Sequence, residues 1–404
     1  GLDSVFDVDG NISWGEGNID IGSKFVSVIE GEEDYRLLAS SLCINAGHPD
    51  STDSDGTRSD LGAYPYLNDY DGEEEWYVST NGSDIEGTGA SGTPFASIQA
   101  GLNFARSNQT VNVASGTYTE NIIWPILTSG IKLLGAGVEN SIIDGGYNGT
   151  VINIDRWVNG AAVGQIDTST HISGFTIQNG YNSQYGGGIS LEWAGPTLTD
   201  LDIRSNTASC GGGMYMGFSW PIIKNVTFRD NTASQQGAGV CISAVGLNDM
   251  YNTYNPVSFD NVIFSGNECT SSVCEGGGLY SFQSIEIIIT NSVFFDNEAH
   301  LGGGLYLHNY SSLYLDEVTI TDNIATSGAG IYTRYGSVAT ITNSIIVDND
   351  GESQITIHEN EWYQEIEVLA NVDISYTNLQ GGFDSVLDVG DNLSWGEGNI
   401  NADP

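Results

Sequence analysis

The stretch GGGLYLHNYSSLYLDEVTITDN at 302–323 is followed, after four residues, by GAGIYTRYGSVATITNSIIVDN at 328–349. Each begins on a glycine cluster, runs into an aliphatic residue and a tyrosine, and closes on Asp-Asn. Working outward, the cluster recurs with its last glycine at Gly188, Gly213, Gly239, Gly278, Gly304 and Gly330. In phase with it, an apolar residue two or three places before a closing asparagine marks Asn206, Asn231, Asn267, Asn297, Asn323 and Asn349. Two signals locked to one period of about 26 residues point to a stacked repeat rather than to a single globular core.

Between the clusters lie short apolar alternations, such as SLYL at 312–315, which read as strands with every second residue inward. Three short strands and three turns fill one period, and such coils stack with parallel strands about 4.8 Å apart. The expected fold is all-β: a right-handed parallel β-helix with about 26 residues per coil. Glycines supply turn conformations, and the asparagines form a ladder that hydrogen-bonds along the stack. An insertion at 245–256 accounts for the one long step, and TPFASIQAGLNFA at 93–105 reads as a short capping helix with Thr93 as N-cap.

These motifs carry a resemblance. YVSTNGSDIEGTGASGTPFASIQAGLNFA and VNVASGTYTENI look like the opening segment of the pectate-lyase-like right-handed β-helix superfamily. The paired glycine and asparagine motifs resemble the repeats of the polymorphic outer-membrane protein family, whose members are secreted surface proteins and adhesins. DYRLLASSLCINAGHPDSTDSDGTRSDLGAYPY at 34–66 is similar to the segment that follows the last coil in many bacterial β-helix proteins. The resemblance implies a fold and leaves the activity open.

The order of segments is peculiar. DSVFDVDGNISWGEGNID at 3–20 returns as DSVLDVGDNLSWGEGNIN at 384–401, a separation of 381 residues. The division expected is a closing segment of a preceding repeat at 1–66, an acidic connector and cap at 67–109, the β-helix at 110–381, and the start of the next closing segment at 382–404. The chain thus reads as one period of a tandem array, with neighbouring copies of itself as partners in a head-to-tail fibre.

With 52 Asp and Glu against 10 Lys and Arg, the net charge is -42. Such a surface repels nucleic acid and anionic membrane and gathers cations, and no apolar run is long enough for membrane insertion. Calcium is the cation expected, on Asp50, Asp53, Asp55 and Asp60 around Gly56, and on the stacked Asp296, Asp322 and Asp348. Tyr215, Tyr280, Tyr306 and Tyr332 follow inward aliphatic residues and are expected to face outward as an exposed ladder for sugars or a neighbouring protein surface. Cys269 and Cys274 are close enough for a local bridge in an oxidising compartment.

Catalysis finds little support. Polysaccharide lyases on such a fold need a basic proton abstractor, and Arg204 and Arg229, at matching places in adjacent coils, are the one basic pair available. His48, His171, His300, His308 and His358 show no metal spacing. The function expected is that of a non-enzymatic extracellular structural or adhesive repeat, in contact with neighbouring copies and with cell-surface or extracellular polysaccharide. The alternative is a carbohydrate-active enzyme or carbohydrate-binding solenoid.

Overall fold

The computed structural model describes residues 23–28, 34–38, 41–54, 56–66, 74–158, 161–243, 256–283, 286–358, 370–388 and 392–402. The first copy of the repeated phrase, the insertion at 244–255 and most of the acidic run at 67–73 lie outside them.

One coil shows how the sequence builds the stack. Glu286–Thr290 forms the first face, Val293–Phe295 the second and Leu305–His308 the third; the next coil repeats them as Ser312–Asp316, Thr319–Thr321 and Ile331–Arg334. All three faces pair in parallel with no slip, Ile287 on Leu313, Phe294 on Ile320 and Leu305 on Ile331. The third face is the most regular, a sheet of ten strands from Ile122–Ile123 to Val386–Asp388. At about 4.8 Å per strand it spans roughly 45 Å.

Corners are set by left-handed residues. Asn261, Asn291, Glu317 and Asn343 turn the first face into the second with φ of 54, 52, 57 and 48°. Asp296, Asp322 and Asp348 turn the second face toward the asparagines with φ of 54, 56 and 54°. Asn and Asp tolerate this region because a short polar side chain can bond locally. The interior is aliphatic and aromatic: Phe228, Phe264 and Phe294 stack through successive coils at 5.2 and 4.3 Å. Burying each such ring stabilises the fold by about 1.5–3 kcal/mol.

The asparagine ladder closes the polar accounting at the second corner. Asn267 donates from its backbone N–H and its Nδ2 to Asn297 Oδ1 at 3.2 and 2.8 Å, and Asn297 repeats this on Asn323 at 3.1 and 2.8 Å. Each Nδ2 also donates to a main-chain carbonyl one coil back, as Asn297 does to Phe264 O at 2.9 Å. Buried amides are thereby satisfied without water.

At the opening end the cap differs from the expected one. The helix is Ile98–Phe104 with Ser97 as N-cap, not Thr93, and Ser97 Oγ accepts from Ala100 N–H. Pro94 and Phe95 are drawn out of the helix because Phe95 bridges Val78 in parallel and joins the sheet edge. Glu120 completes the helix start by accepting from Ile98 and Gln99 N–H at 2.8 and 2.9 Å. The solenoid also begins before residue 110: Glu75–Val78 pairs with Thr110–Val113, turning Trp76 and Val78 into the core. The acidic run ahead of it hid this alternation.

The described residues between 23 and 66 form a small module with a core of Leu37, Cys43, Ile44 and Tyr66. It sits at the opening end, where Tyr66 donates to Ala105 O at 2.9 Å and Arg106 lies 4.0 Å over the Tyr66 ring. At the far end, the second copy of the repeated phrase makes another coil. Val386–Asp388 pairs with Ile355–His358, and Leu393–Trp395 pairs with Asn371–Ser375.

Candidate functional site

The tyrosine ladder stacks, but it is not exposed. Tyr280, Tyr306 and Tyr332 are in register at ring separations of 5.5 and 5.0 Å, with exposures of 1, 0 and 4%. They do point away from the main core, as strand alternation requires. The correction lies in what covers them. Between the asparagine and the glycines the chain runs outside the third face, as a four-stranded layer of Tyr181–Tyr185, Thr207–Cys210, Thr232–Gln236 and Glu268–Cys269. Bridges through Glu275, Leu301 and Ser327 continue it along the stack.

Glycine makes that reversal possible. Gly276, Gly302 and Gly328 have φ of 74, 66 and 57°, and a Cβ at any of them would come within 2.6 Å of a carbonyl oxygen. The outer layer thus folds back onto the tyrosines and makes a second buried cluster with Cys210, Tyr215 and Cys241. Cys241 occupies the ladder position between Tyr215 and Tyr280, and its bridge to Cys210 ties the layer to the sheet. The sequence offered no cue for this bridge. Cys269 and Cys274 form the other, and Cys43 is free and buried.

Polar groups line the covered strip. Tyr280 Oη lies 3.2 Å from His308 Nδ1, and burial followed by the Arg334 charge holds His308 down at about 4. Burial also pushes the Glu275 carboxyl up, and the phenols of Tyr280 and Tyr306 well above their usual range. Arg334 Nη2 donates to Tyr335 Oη at 2.6 Å.

An aromatic stack with one exposed ring, Trp157, stands at the other end of the same face. Trp157, Trp193 and Phe218, from three successive coils, stack at 5.2 and 4.6 Å with interplanar angles of 18 and 16°. Trp193 and Phe218 take φ of 59 and 48°, an unfavourable region for bulky side chains. Beside them Glu192 is in register with Asp155 on one side and Gly217 on the other. A Cβ at Gly217 would come within 2.2 Å of Glu192 Oε2, so the glycine leaves room for the carboxyl. Burial, reinforced by Asp155, pushes Glu192 up to about 7.

The basic pair is neutralised. Arg229 donates to Asp202 in bidentate fashion, from Nε at 2.9 Å and Nη2 at 2.8 Å, and Arg204 Nη1 is 3.5 Å from the same carboxylate. Arg229 edges an open cleft of about 370 Å³, which Glu139, Asp200, Asp202, Asn225 and Thr227 also line. Pairing raises the Arg229 pKa and so opposes a role as proton abstractor.

The acidic positions are dispersed. Asp296, Asp322 and Asp348 are exposed corner residues, and Gln380 Nε2 donates to Asp348 at 2.9 Å. In the loop, Asp53 accepts from Asp60 N–H at 3.1 Å, while Asp60 accepts from Asn45 and Tyr66 N–H at 2.7 and 2.5 Å. Asp50 lies at the surface, 3.9 Å from His48, and Asp55 is outside the described residues. Among the described residues, no group of three or more His, Cys, Asp or Glu is placed to hold a metal ion.

The family described as right handed beta helix region matches residues 252–382, the coils with the clearest period. The fold is a right-handed parallel β-helix. Among solved β-helix structures, the complex of XylC with xylose is similar at 11% identity and a TM-score of 0.53, over 78% of this chain and 69% of that one. The mannuronan C-5 epimerase AlgE4 A-module of Azotobacter vinelandii gives 13%, 0.40, 74% and 90%, and carrot pectin methylesterase 10%, 0.38, 81% and 88%. No curated protein sequence is significantly similar to this β-helix. At these identities the likeness concerns fold alone.

Proposed function

We propose that the chain is a non-enzymatic structural or adhesive unit of an extracellular tandem β-helix array. The observation that carries this reading is the placement of the repeated phrase. Its second copy is built as a further coil at the far end, while the module that follows its first copy packs on the opening end. One repeat therefore hands its last coil to a module that seats the next repeat's first coil. Phe383, Trp395 and Ile400 of the last coil are 57, 36 and 55% exposed, apolar surface of the kind that end-to-end packing would bury. Two disulfides support an oxidising, extracellular setting.

The second reading, a carbohydrate-active solenoid, draws support from the acidic cleft beside Arg229 and from the sugar that XylC carries on the same fold. Bidentate pairing of Arg229 with Asp202 weighs against lyase chemistry there. A chain of two consecutive 381-residue periods tests the main reading by small-angle scattering. The expected result is a rod with about twice the length and the same cross-section as one unit. A folded-back particle, or turnover of a polysaccharide by the single unit, would overturn it.

A further inference from the structure

We propose that the ledge of Trp157, Trp193, Glu192 and Asp155 binds a neutral saccharide. The inference is independent of how repeats stack. It starts from Trp157, which is stacked on one side by Trp193 and remains 47% exposed, a large apolar surface that the fold leaves uncovered. Sugar rings present flat C–H faces, and an exposed indole is the side chain best suited to them.

Polar groups stand where sugar hydroxyls need them. Asp155 and Glu192 are neighbours across one strand spacing, and the backbone N–H of Trp157 donates to Asp155 Oδ1 at 2.8 Å, which fixes the carboxylate against the main chain that carries the indole. Arg156 is held on the backbone carbonyls of Val163, Gly164 and Trp193, which anchors the loop that carries Trp157. With Gly217 leaving room for Glu192, the arrangement is pre-formed. Glu192 shares a hydrogen bond with Tyr215 while Asp155 is exposed, so the two carboxyls offer hydroxyls acceptor oxygens.

Charge chooses the ligand. The Asp155 carboxylate on a chain of net charge -42 repels uronates and sulfated glycans, so the class that fits is an uncharged oligosaccharide.

The test is calorimetric titration of the intact chain at pH 6 with xylohexaose, cellohexaose and hexagalacturonate, with tryptophan fluorescence in parallel. At least one neutral hexasaccharide should bind, and hexagalacturonate should not. Trp157→Ala should weaken binding about tenfold. Glu192→Gln, which keeps a donor and an acceptor, should retain binding within about threefold, whereas Glu192→Ala should not. Circular dichroism of each variant separates lost binding from lost folding. Failure of both neutral probes, equal affinity of the Trp157→Ala variant, or preference for hexagalacturonate would overturn the proposal. So would a fluorescence change that follows protein concentration rather than sugar, which would assign the ledge to contact between copies.

Discussion

At the scale of single residues, the ladder asparagines are the clearest case of a sequence signal with one physical meaning. Asn297 is wholly buried and accepts two hydrogen bonds from Asn267 while donating to Asn323 and to Phe264 O. Alanine there removes the acceptor of the Asn267 backbone N–H and of one Nδ2 hydrogen, and the amide that donates to Phe264 O, in a dry corner. An unsatisfied buried polar group costs about 1–3 kcal/mol, so Asn297→Ala should lower unfolding free energy by about 3 kcal/mol in urea titrations. A loss under about 0.5 kcal/mol would mean that water enters the corner and the ladder is dispensable.

At the scale of elements, the covered tyrosine strip gives a pH signature. Neutral His308 sits against Tyr280 Oη and resists protonation until about pH 4, whereas an unfolded histidine takes a proton near 6.5. The unfolded state therefore binds the extra proton first, and His308 makes stability fall as pH drops from about 6.5 toward 4. Glu192, raised to about 7, tilts the other way, losing stability as pH rises from about 4.5 to 7. Comparison of wild type with His308→Gln isolates the first effect. Between pH 6.8 and 5.2 the wild type should lose about 1 kcal/mol more than the variant in denaturant titrations. Parallel pH profiles would show that His308 is accessible to solvent protons.

The same strip shows where sequence reading stops. Period and the outward direction of Tyr306 were legible because repeat spacing and strand alternation are local, whereas the left-handed corners fall on Asp296, Asp322 and Asp348 rather than on the ladder asparagines beside them. The burial of Tyr306 was not legible, because the cover comes from Glu275, Leu301 and Ser327, which share no residue type and meet it only through the glycine reversal. The Trp157–Trp193–Phe218 stack was hidden for a related reason. Its spacings of 36 and 25 residues cross an irregular coil, and no repeating motif contains them. Glu75–Val78 was missed because five acids near it masked a two-residue alternation.

At the scale of the whole molecule, charge is the dominant property, and the question is whether cations bind at sites or as an atmosphere. The sequence suggested sites, from aspartates at 26-residue steps and an Asp-rich loop. In the fold, Asp296, Asp322 and Asp348 are exposed, and the loop carboxylates of Asp53 and Asp60 are engaged by backbone N–H groups. Calcium requires six to eight oxygens, and a single exposed carboxylate per coil supplies too few. A surface of charge -42 nevertheless repels itself, and any divalent cation relieves that strain by accumulating within a Debye length of about 10 Å. An atmosphere does not distinguish calcium from magnesium, whereas a protein site does, because magnesium demands octahedral geometry and parts reluctantly with water. Calcium and magnesium chloride at equal millimolar concentration should therefore raise Tm by the same few degrees, with sodium matching them only at higher ionic strength. Calcium that stabilises at stoichiometric micromolar levels, where magnesium does nothing, would establish specific sites on this solenoid.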